Sequence, residues 1–183
     1  MTDSKVAQPQ SELEQFRAEK DRFYKTNRQS PLTPQQKRAF QGLSYFPENP
    51  ALRLEVKVER FPKPEKIEME TSTGDVQTYT RYGKFTFKVD GQEAALTIYA
   101  DGRSFFLPFV DSQSGKETYP AGRYLEPEPQ EDGRFLVDFN LAYNPYCAYN
   151  EQWSCPLTPF ENHIKVPIRA GEKLPEGNWV QHA

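Results

Sequence analysis

Two Asp-Gly pairs, Asp90-Gly91 and Asp101-Gly102, separate three short runs in which apolar and polar residues alternate. Asp-Gly is typical of the two-residue turns that join the strands of a hairpin, because such turns need backbone conformations with positive φ. The runs on either side must pair antiparallel, since a parallel crossover needs a dozen or more residues. The sequence therefore predicts a three-stranded meander over residues 85–89, 96–98 and 103–110.

The same alternation indicates further strands on both sides of this meander. It occurs over residues 52–59 and 66–71 before the meander, and over residues 135–139 and 164–168 after it. About eight short strands joined by turns are typical of an antiparallel barrel or sandwich. We therefore predict a mainly β chain folded as a single-domain antiparallel β-barrel or β-sandwich.

Two helices are predicted in front of the strands. Ser11 lies three residues before Glu14, and Thr33 lies three residues before Gln36. This spacing lets each pair close a capping box at the first turn of a helix. Gly42 is suited to end the second helix, because glycine readily adopts the left-handed conformation found there.

The length and the aromatic content indicate one folded domain. A chain of 183 residues is close to the usual size of a single domain. Its 13 phenylalanines, 10 tyrosines and 2 tryptophans can bury much apolar surface. We predict a flexible tail at residues 1–10 and one domain over residues 11–183. Within it, residues 11–42 are the helical segment and residues 52–183 are mostly β.

The charge and hydropathy patterns exclude several classes of partner. The chain has 23 lysines and arginines against 26 aspartates and glutamates, whereas a nucleic-acid binder needs a clustered positive excess. The longest apolar run, residues 105–110, is far too short to insert into a membrane. No charged and then apolar leader opens the chain, which predicts a cytoplasmic location if Met1 is the true start.

Polar and turn-forming residues concentrate between residues 111 and 173, where the strand pattern is interrupted. Functional residues are expected where a sequence departs from the rules of its fold, and a ligand site needs a few polar groups among aromatic rings. We predict a non-catalytic site in this stretch for a small polar molecule or a peptide. Its ligand-binding residues are predicted to be Arg123, Tyr124, Asp138, Asn140, Tyr143, Asn144, Glu161 and Asn162.

Two alternatives remain open for the same polar residues. In the first, Asp138 and Glu161 are the acid and base of a hydrolase or lyase, with Arg123 or Arg169 tuning their pKa. In the second, the cluster is structural and the protein is an interaction module, since Asp and Asn side chains routinely bind the backbone of turns. No phosphate-binding loop, dinucleotide fingerprint or hydrolase signature is present, so no cofactor is predicted.

Cys147 and Cys155 are the only cysteines. We favour buried thiols, because cysteine is among the most buried residue types. A disulfide is the alternative, although it is unusual in a cytosolic protein, and the spacing does not suit a metal site with His163. Pro145 and Pro156 restrict both ends of the loop between them, which predicts a compact loop that shields the sulfurs.

Several short motifs connect the chain with a known family. They are Ser30-Pro31-Leu32, Gly122-Arg123-Tyr124-Leu125, Asp138-Phe139-Asn140, Ala142-Tyr143-Asn144-Pro145, Cys147-Ala148-Tyr149, Cys155-Pro156-Leu157, Glu161-Asn162 and Ala170-Gly171-Glu172-Lys173. In these motifs the chain resembles an uncharacterised bacterial family, the domain of unknown function 1684. The resemblance covers most of the chain and implies a shared fold and a shared polar cluster, but no known activity. His163 departs from the pattern, which has an apolar residue there.

Overall fold

The computed structural model describes residues 10–180. The predicted flexible tail lies outside these residues, apart from Gln10. Among the helices of residues 10–180, none has the length and apolar character needed to cross a bilayer. The elements are α1 (Glu12–Thr26), α2 (Pro34–Ala39), β1 (Arg53–Lys57), β2 (Glu59–Glu70), β3 (Val76–Val89), β4 (Gln92–Ala100), β5 (Phe105–Phe109), β6 (Arg123–Leu125), β7 (Glu128–Pro129) and β8 (Arg134–Asp138).

Both predicted capping boxes are confirmed. The hydroxyl of Ser11 accepts the backbone N–H of Glu14, and the carboxylate of Glu14 accepts the N–H of Ser11. Thr33 and Gln36 make the same pair of hydrogen bonds at the start of α2. Two otherwise unpaired backbone donors are thus satisfied at each helix start.

The predicted stop of α2 at Gly42 is wrong. The helix ends at Ala39, and Phe40 is already extended. The ring of Phe40 is buried between Tyr24 and Trp179, with ring centroids 6.2 and 5.0 Å away. Because extended backbone at Phe40 directs its ring into this aromatic cluster, side-chain burial ends the helix before the glycine is reached.

The first predicted hairpin turn is present, and the second is longer than predicted. Asp90 and Gly91 join β3 to β4 with φ angles of 50° and 79°. Between β4 and β5, the carboxylate of Asp101 instead accepts the backbone N–H groups of Arg103 and Ser104. This side-chain-to-backbone turn closes a connection of four residues.

The strands form two antiparallel sheets. The larger has the order β2-β3-β4-β5-β6 and the smaller has the order β1-β8-β7. The prediction of a mainly β fold with two N-terminal helices is confirmed, and the hydrogen bonds of residues 10–180 close no barrel. The sheets share one core, to which the larger contributes Phe85 and Ile98 and the smaller contributes Val56, Phe135 and Val137.

The predicted strand at residues 164–168 is wrong, although its pattern of burial is as expected. Ile164, Val166 and Ile168 are buried, whereas Lys165 between them is exposed. Its backbone pairing is sparse: His163, just before the segment, forms an isolated bridge with Val110, just after β5, and the carbonyl of Val166 accepts the N–H of Ser112 at 3.1 Å. Side chains make the hydrogen bonds that a continuous strand partner would otherwise make.

Arg123 supplies most of these substitute bonds. Its guanidinium donates to the backbone carbonyls of Ile168, Ala170 and Glu172 at 2.7, 2.5 and 3.0 Å. The carboxylate of Asp111 accepts the N–H of Ile168 at 2.8 Å and lies 3.9 Å from the guanidinium. The N–H groups of the guanidinium therefore bind alternate backbone carbonyls, as the N–H groups of a neighbouring strand would.

We predict that Arg123→Lys lowers the free energy of unfolding by about 2 to 4 kcal/mol, because one ammonium cannot reach three carbonyls and each buried carbonyl left unpaired is costly. Urea unfolding measures the change. The control is Arg103→Lys at an exposed position, where a change within about 0.5 kcal/mol is expected. Equally small losses in both variants would show that the fork geometry of Arg123 contributes little.

Candidate functional site

An aromatic groove lies between α1 and the loops that follow β6 and β8. Its volume is about 820 Å³, which is within the range of small-molecule sites. Seven of its fifteen lining residues are aromatic. The groove is lined by Phe16, Glu19, Lys20, Phe23, Tyr24, Gln77, Tyr124, Glu126, Tyr143, Pro145, Tyr146, Trp153, Ser154, Cys155 and Pro156.

The rings of the groove hold one another in edge-to-face contacts. Tyr124 and Tyr143 have centroids 5.9 Å apart at 90°, and Tyr146 contacts Trp153 at 5.2 Å and 70°. Tyr146 also meets Tyr24 of α1 at 6.3 Å. Because each ring packs against the next in a favoured geometry, the apolar walls of the groove are preformed.

A buried carboxylate, Glu172, anchors the positive charge of the groove. Glu172 is 2% exposed, and its carboxylate accepts a hydrogen bond from the ammonium of Lys20. It also accepts the backbone N–H of Asn144 at 3.1 Å and the hydroxyl of Tyr149 at 3.0 Å. The Lys20 nitrogen lies 4.9 Å above the ring of Tyr143, so the charge of Lys20 is compensated on two sides.

The remaining polar groups of the groove leave it with an acidic rim. Glu19 and Glu126 are exposed carboxylates, and the hydroxyl of Tyr143 donates to Glu126 at 3.0 Å. The hydroxyl of Tyr24 has no hydrogen-bond partner among the described residues. Burial raises the pKa of Tyr24, so this hydroxyl keeps its proton and is a neutral donor.

Two of the eight predicted binding residues, Tyr124 and Tyr143, line this groove. Arg123 is in the interior, where it binds backbone carbonyls. Asn144 is also buried and donates to the hydroxyl of Tyr149 and to a backbone carbonyl. These two side chains support the groove without lining it.

Asn162 holds the larger sheet together. Its amide accepts the backbone N–H of Thr97 at 2.9 Å and donates to the carbonyls of Thr97 and Pro108 at 2.9 and 2.8 Å. The side chain is fully buried. It thereby joins β4 to β5 where their direct pairing is short.

Asp138 and Asn140 lie at the end of β8, outside the groove. The Asp138 carboxylate accepts both the backbone and the side-chain N–H of Asn140, at 3.0 and 2.9 Å, and lies 3.8 Å from Arg53. Asn140 in turn binds the backbone N–H and carbonyl of Asn49 at 2.8 and 2.9 Å. Asp138 lines an adjoining cavity of about 190 Å³, which shares three lining residues with the groove.

Glu161 has a different set of partners from Asp138. Arg81 donates to both of its carboxylate oxygens, at 3.0 and 2.7 Å, and the hydroxyl of Tyr99 donates to one of them. Burial opposes ionisation of Glu161, but the hydrogen bonds from Arg81 and Tyr99 outweigh it and lower the pKa of the carboxyl. The structure therefore gives the two carboxylates of the acid/base alternative separate structural partners.

Both cysteines are free thiols, and the predicted burial is confirmed for Cys155 but wrong for Cys147, which is only half-buried. The N–H of Cys147 donates to the sulfur of Cys155 at 3.4 Å. The N–H of Cys155 donates to the hydroxyl of Ser72 at 3.1 Å, and its carbonyl accepts the N–H of Ser72 at 2.9 Å. His163 is exposed and stacks on Phe160. Within residues 10–180, no three side chains are grouped to bind a metal ion.

The sequence reasoning missed the wall of the groove that α1 provides. Phe16, Phe23 and Tyr24 share an apolar face of α1, and such a face is typical of a helix that covers a core. Phe16, however, is 45% exposed and lines the groove. The exposure of the Phe16 ring is what marks this wall of the groove, and it is visible only in the folded protein.

The comparison with protein families confirms the resemblance. The model of a family described as protein of unknown function (DUF1684) matches residues 38–173. The chain belongs to the DUF1684 family. The match starts within α2, so the groove residues of α1 lie outside it, whereas Glu172 and both cysteines lie within it.

A solved structure shares the fold of this DUF1684 protein. It is the solution NMR structure of the uncharacterized protein from gene locus rrnAC0354 of Haloarcula marismortui. The two sequences are 38% identical, the match covers 88% of this chain and 91% of the other, and the TM-score is 0.68. Comparison with curated proteins gave no significant match.

We predict that Glu161→Gln costs about 0.5 to 1 kcal/mol at pH 7, the usual range for an exposed ion pair. A carboxylate whose folded-state pKa lies below its ordinary 4.5 stabilises the fold above that pH, and this contribution disappears as the pH falls through the folded pKa. The unfolding free energies of wild type and variant should therefore converge in acid. Urea unfolding at several pH values checks this.

The matched control for this prediction is Glu65→Gln. Glu65 contacts the same Arg81, but at 3.4 Å and with a side chain 67% exposed. A smaller loss is expected at pH 7. A Glu161→Gln difference that stays constant down to low pH would contradict the assignment of a lowered pKa.

Proposed function

We propose that this DUF1684 protein is a non-catalytic binding module whose aromatic groove takes an organic cation with an apolar body. The cation belongs either to a small molecule or to a side chain of a peptide. The observation that carries the proposal is a preformed aromatic groove with an acidic rim. This proposal places the site in the groove instead of in the whole polar stretch of residues 111–173.

The size and the walls of the groove favour a mainly apolar ligand body. A volume of about 820 Å³ is ample for one or two rings. Tyr124, Tyr143, Tyr146 and Trp153 present rings that are already packed against one another. Because these rings need little rearrangement, little conformational entropy is lost when a ligand binds.

The charges of the groove favour a cation. The faces of aromatic rings attract positive groups, and Lys20 already lies above the ring of Tyr143. The charge of Lys20 is compensated by Glu172, whereas Glu19 and Glu126 at the rim are exposed carboxylates. A ligand ammonium therefore meets net negative potential, and an anion is repelled.

The unpartnered hydroxyl of Tyr24 favours a ligand that also carries an acceptor. A buried donor without a partner costs free energy, and Tyr24 lines the groove. A carbonyl or hydroxyl oxygen on the ligand would remove that cost. An amino-acid derivative or a peptide has both an ammonium and such an oxygen.

The positions of Asp138 and Glu161, the two carboxylates of the acid/base alternative, also support a binding role. Asp138 and Glu161 do not line the groove. Each is already bonded to an arginine or to a backbone group. The carboxylates that do line the groove, Glu19 and Glu126, are exposed at its rim.

We predict that 2-phenylethylammonium binds the groove more tightly than 2-phenylethanol, and that 3-phenylpropionate binds most weakly. The amide of the dipeptide Phe-Lys is the peptide probe. Ligand-detected NMR gives the affinities, and the fluorescence of Trp153 in a Trp179→Phe background reports on the groove, because Trp179 lies in the aromatic cluster outside it. Tighter binding of the dipeptide than of the amine identifies a peptide as the preferred source.

The matched variants are Glu126→Gln and Glu151→Gln, both exposed, of which only Glu126 lines the groove. Glu126→Gln should weaken 2-phenylethylammonium about threefold, the equivalent of an exposed charge pair, without changing 2-phenylethanol. Glu151→Gln should change neither. Absence of binding by every probe, or a preference for 3-phenylpropionate, would refute the proposal.

A further inference from the structure

We propose that Cys147 and Cys155 form a redox-active thiol pair that a small hydroperoxide converts reversibly to a disulfide, with Cys155 as the reacting sulfur. This activity goes beyond ligand binding and does not require a ligand in the groove. It assigns a chemical role to two side chains that the binding proposal leaves unused.

The first argument is the proximity of the two residues. The backbone N–H of Cys147 donates to the sulfur of Cys155 at 3.4 Å. Seven residues separate the cysteines in the sequence, and the loop brings them together by folding back on itself. A disulfide needs cysteines whose Cα atoms lie within about 7 Å of each other, and the contact between the Cys147 N–H and the Cys155 sulfur places the two residues side by side.

The second argument is the rigid placement of Cys155 beside an open space. Both the N–H and the carbonyl of Cys155 are bonded to Ser72, in the turn between β2 and β3. Cys155 is 7% exposed and lines the aromatic groove. Cys155 therefore borders the groove instead of lying in a closed apolar core, so a molecule the size of hydrogen peroxide in the groove is placed next to this residue.

The third argument is the stabilisation of the Cys155 thiolate. The hydrogen bond from the Cys147 thiol lowers the pKa of Cys155 to about 6; burial opposes this, and backbone N–H groups of Cys147 and Tyr146 add to it. The hydrogen bond with Cys155 and burial raise the pKa of Cys147. The thiolate is the nucleophilic form of cysteine. The pair is therefore asymmetric, with one attacking sulfur and one protonated partner.

The reaction balances with hydrogen peroxide as the oxidant. The Cys155 thiolate attacks one peroxide oxygen, the O–O bond breaks, and the leaving hydroxide takes a proton to become water. The Cys155 sulfenic acid then reacts with the Cys147 thiol, the S–S bond forms, and a second water leaves. Overall, two thiols lose two electrons and two protons, and the peroxide is reduced to two waters.

The experiment treats the reduced full-length protein with hydrogen peroxide under native conditions. Intact-mass measurement should show the loss of two hydrogen atoms, and dithiothreitol should restore the original mass. Peptide mapping should place the disulfide between Cys147 and Cys155 within one chain. Thiols that react only after denaturation, or a disulfide between two chains, would overturn the proposal.

Two matched serine variants test which sulfur reacts. In Cys147→Ser, the Cys155 sulfenic acid has no resolving thiol and should be trapped by dimedone. In Cys155→Ser, the oxidation of Cys147 should be at least about tenfold slower, because little of it is thiolate. Thermal unfolding confirms that each variant is folded. Equal rates of thiol oxidation in the two variants would contradict the role of Cys155. So would a dimedone adduct that forms on Cys147 in Cys155→Ser but not on Cys155 in Cys147→Ser.

Discussion

The rest of the structure depends on the hydrogen bonds that the buried guanidinium of Arg123 makes. It binds the carbonyls of Ile168, Ala170 and Glu172 and so fixes a chain segment that has no strand partner. Fixing that segment also fixes the side chain of Glu172, which accepts the ammonium of Lys20. Lys20 belongs to α1, one wall of the aromatic groove. The geometry of the groove is therefore linked to one arginine in the core.

Burying this arginine has a cost that its surroundings offset. Burial lowers the pKa of Arg123 to about 10, against the opposing charges of Asp111 and Glu172, so Arg123 remains protonated at neutral pH. An apolar residue would avoid this desolvation, and buried ion pairs are often no more stable than apolar replacements. An apolar residue would, however, leave three carbonyls unpaired. The arrangement thus gives a unique position to an irregular segment, which apolar packing alone would not specify.

Local signals in the sequence predicted the parts of the fold that local interactions determine. Ser11 and Glu14 interact across one helical turn, and Asp90-Gly91 determines its own turn, so both were predictable. The segment at residues 164–168 has the burial pattern of a strand, but much of its hydrogen bonding is to side chains more than forty residues away in the sequence. The candidate site was predictable only for Tyr124 and Tyr143. Nothing in a single sequence shows that α1 lies opposite them.

The binding site and the thiol pair differ in how they relate to the family. The DUF1684 match covers residues 38–173, which contain both cysteines, Ser72 and Glu172, whereas Phe16, Lys20 and Tyr24 precede it. The loop that brings the thiols together is tied to the β2–β3 turn through Ser72, and it also contacts α1, where Tyr24 packs on Tyr149 at 5.5 Å. The groove does require α1, because the helix closes one side of it. A change at Phe16, which lines the groove, should therefore alter what the groove binds while the contact of Tyr24 with the thiol loop, and with it the chemistry of Cys147 and Cys155, is retained. The two proposed activities are thus separable within one fold.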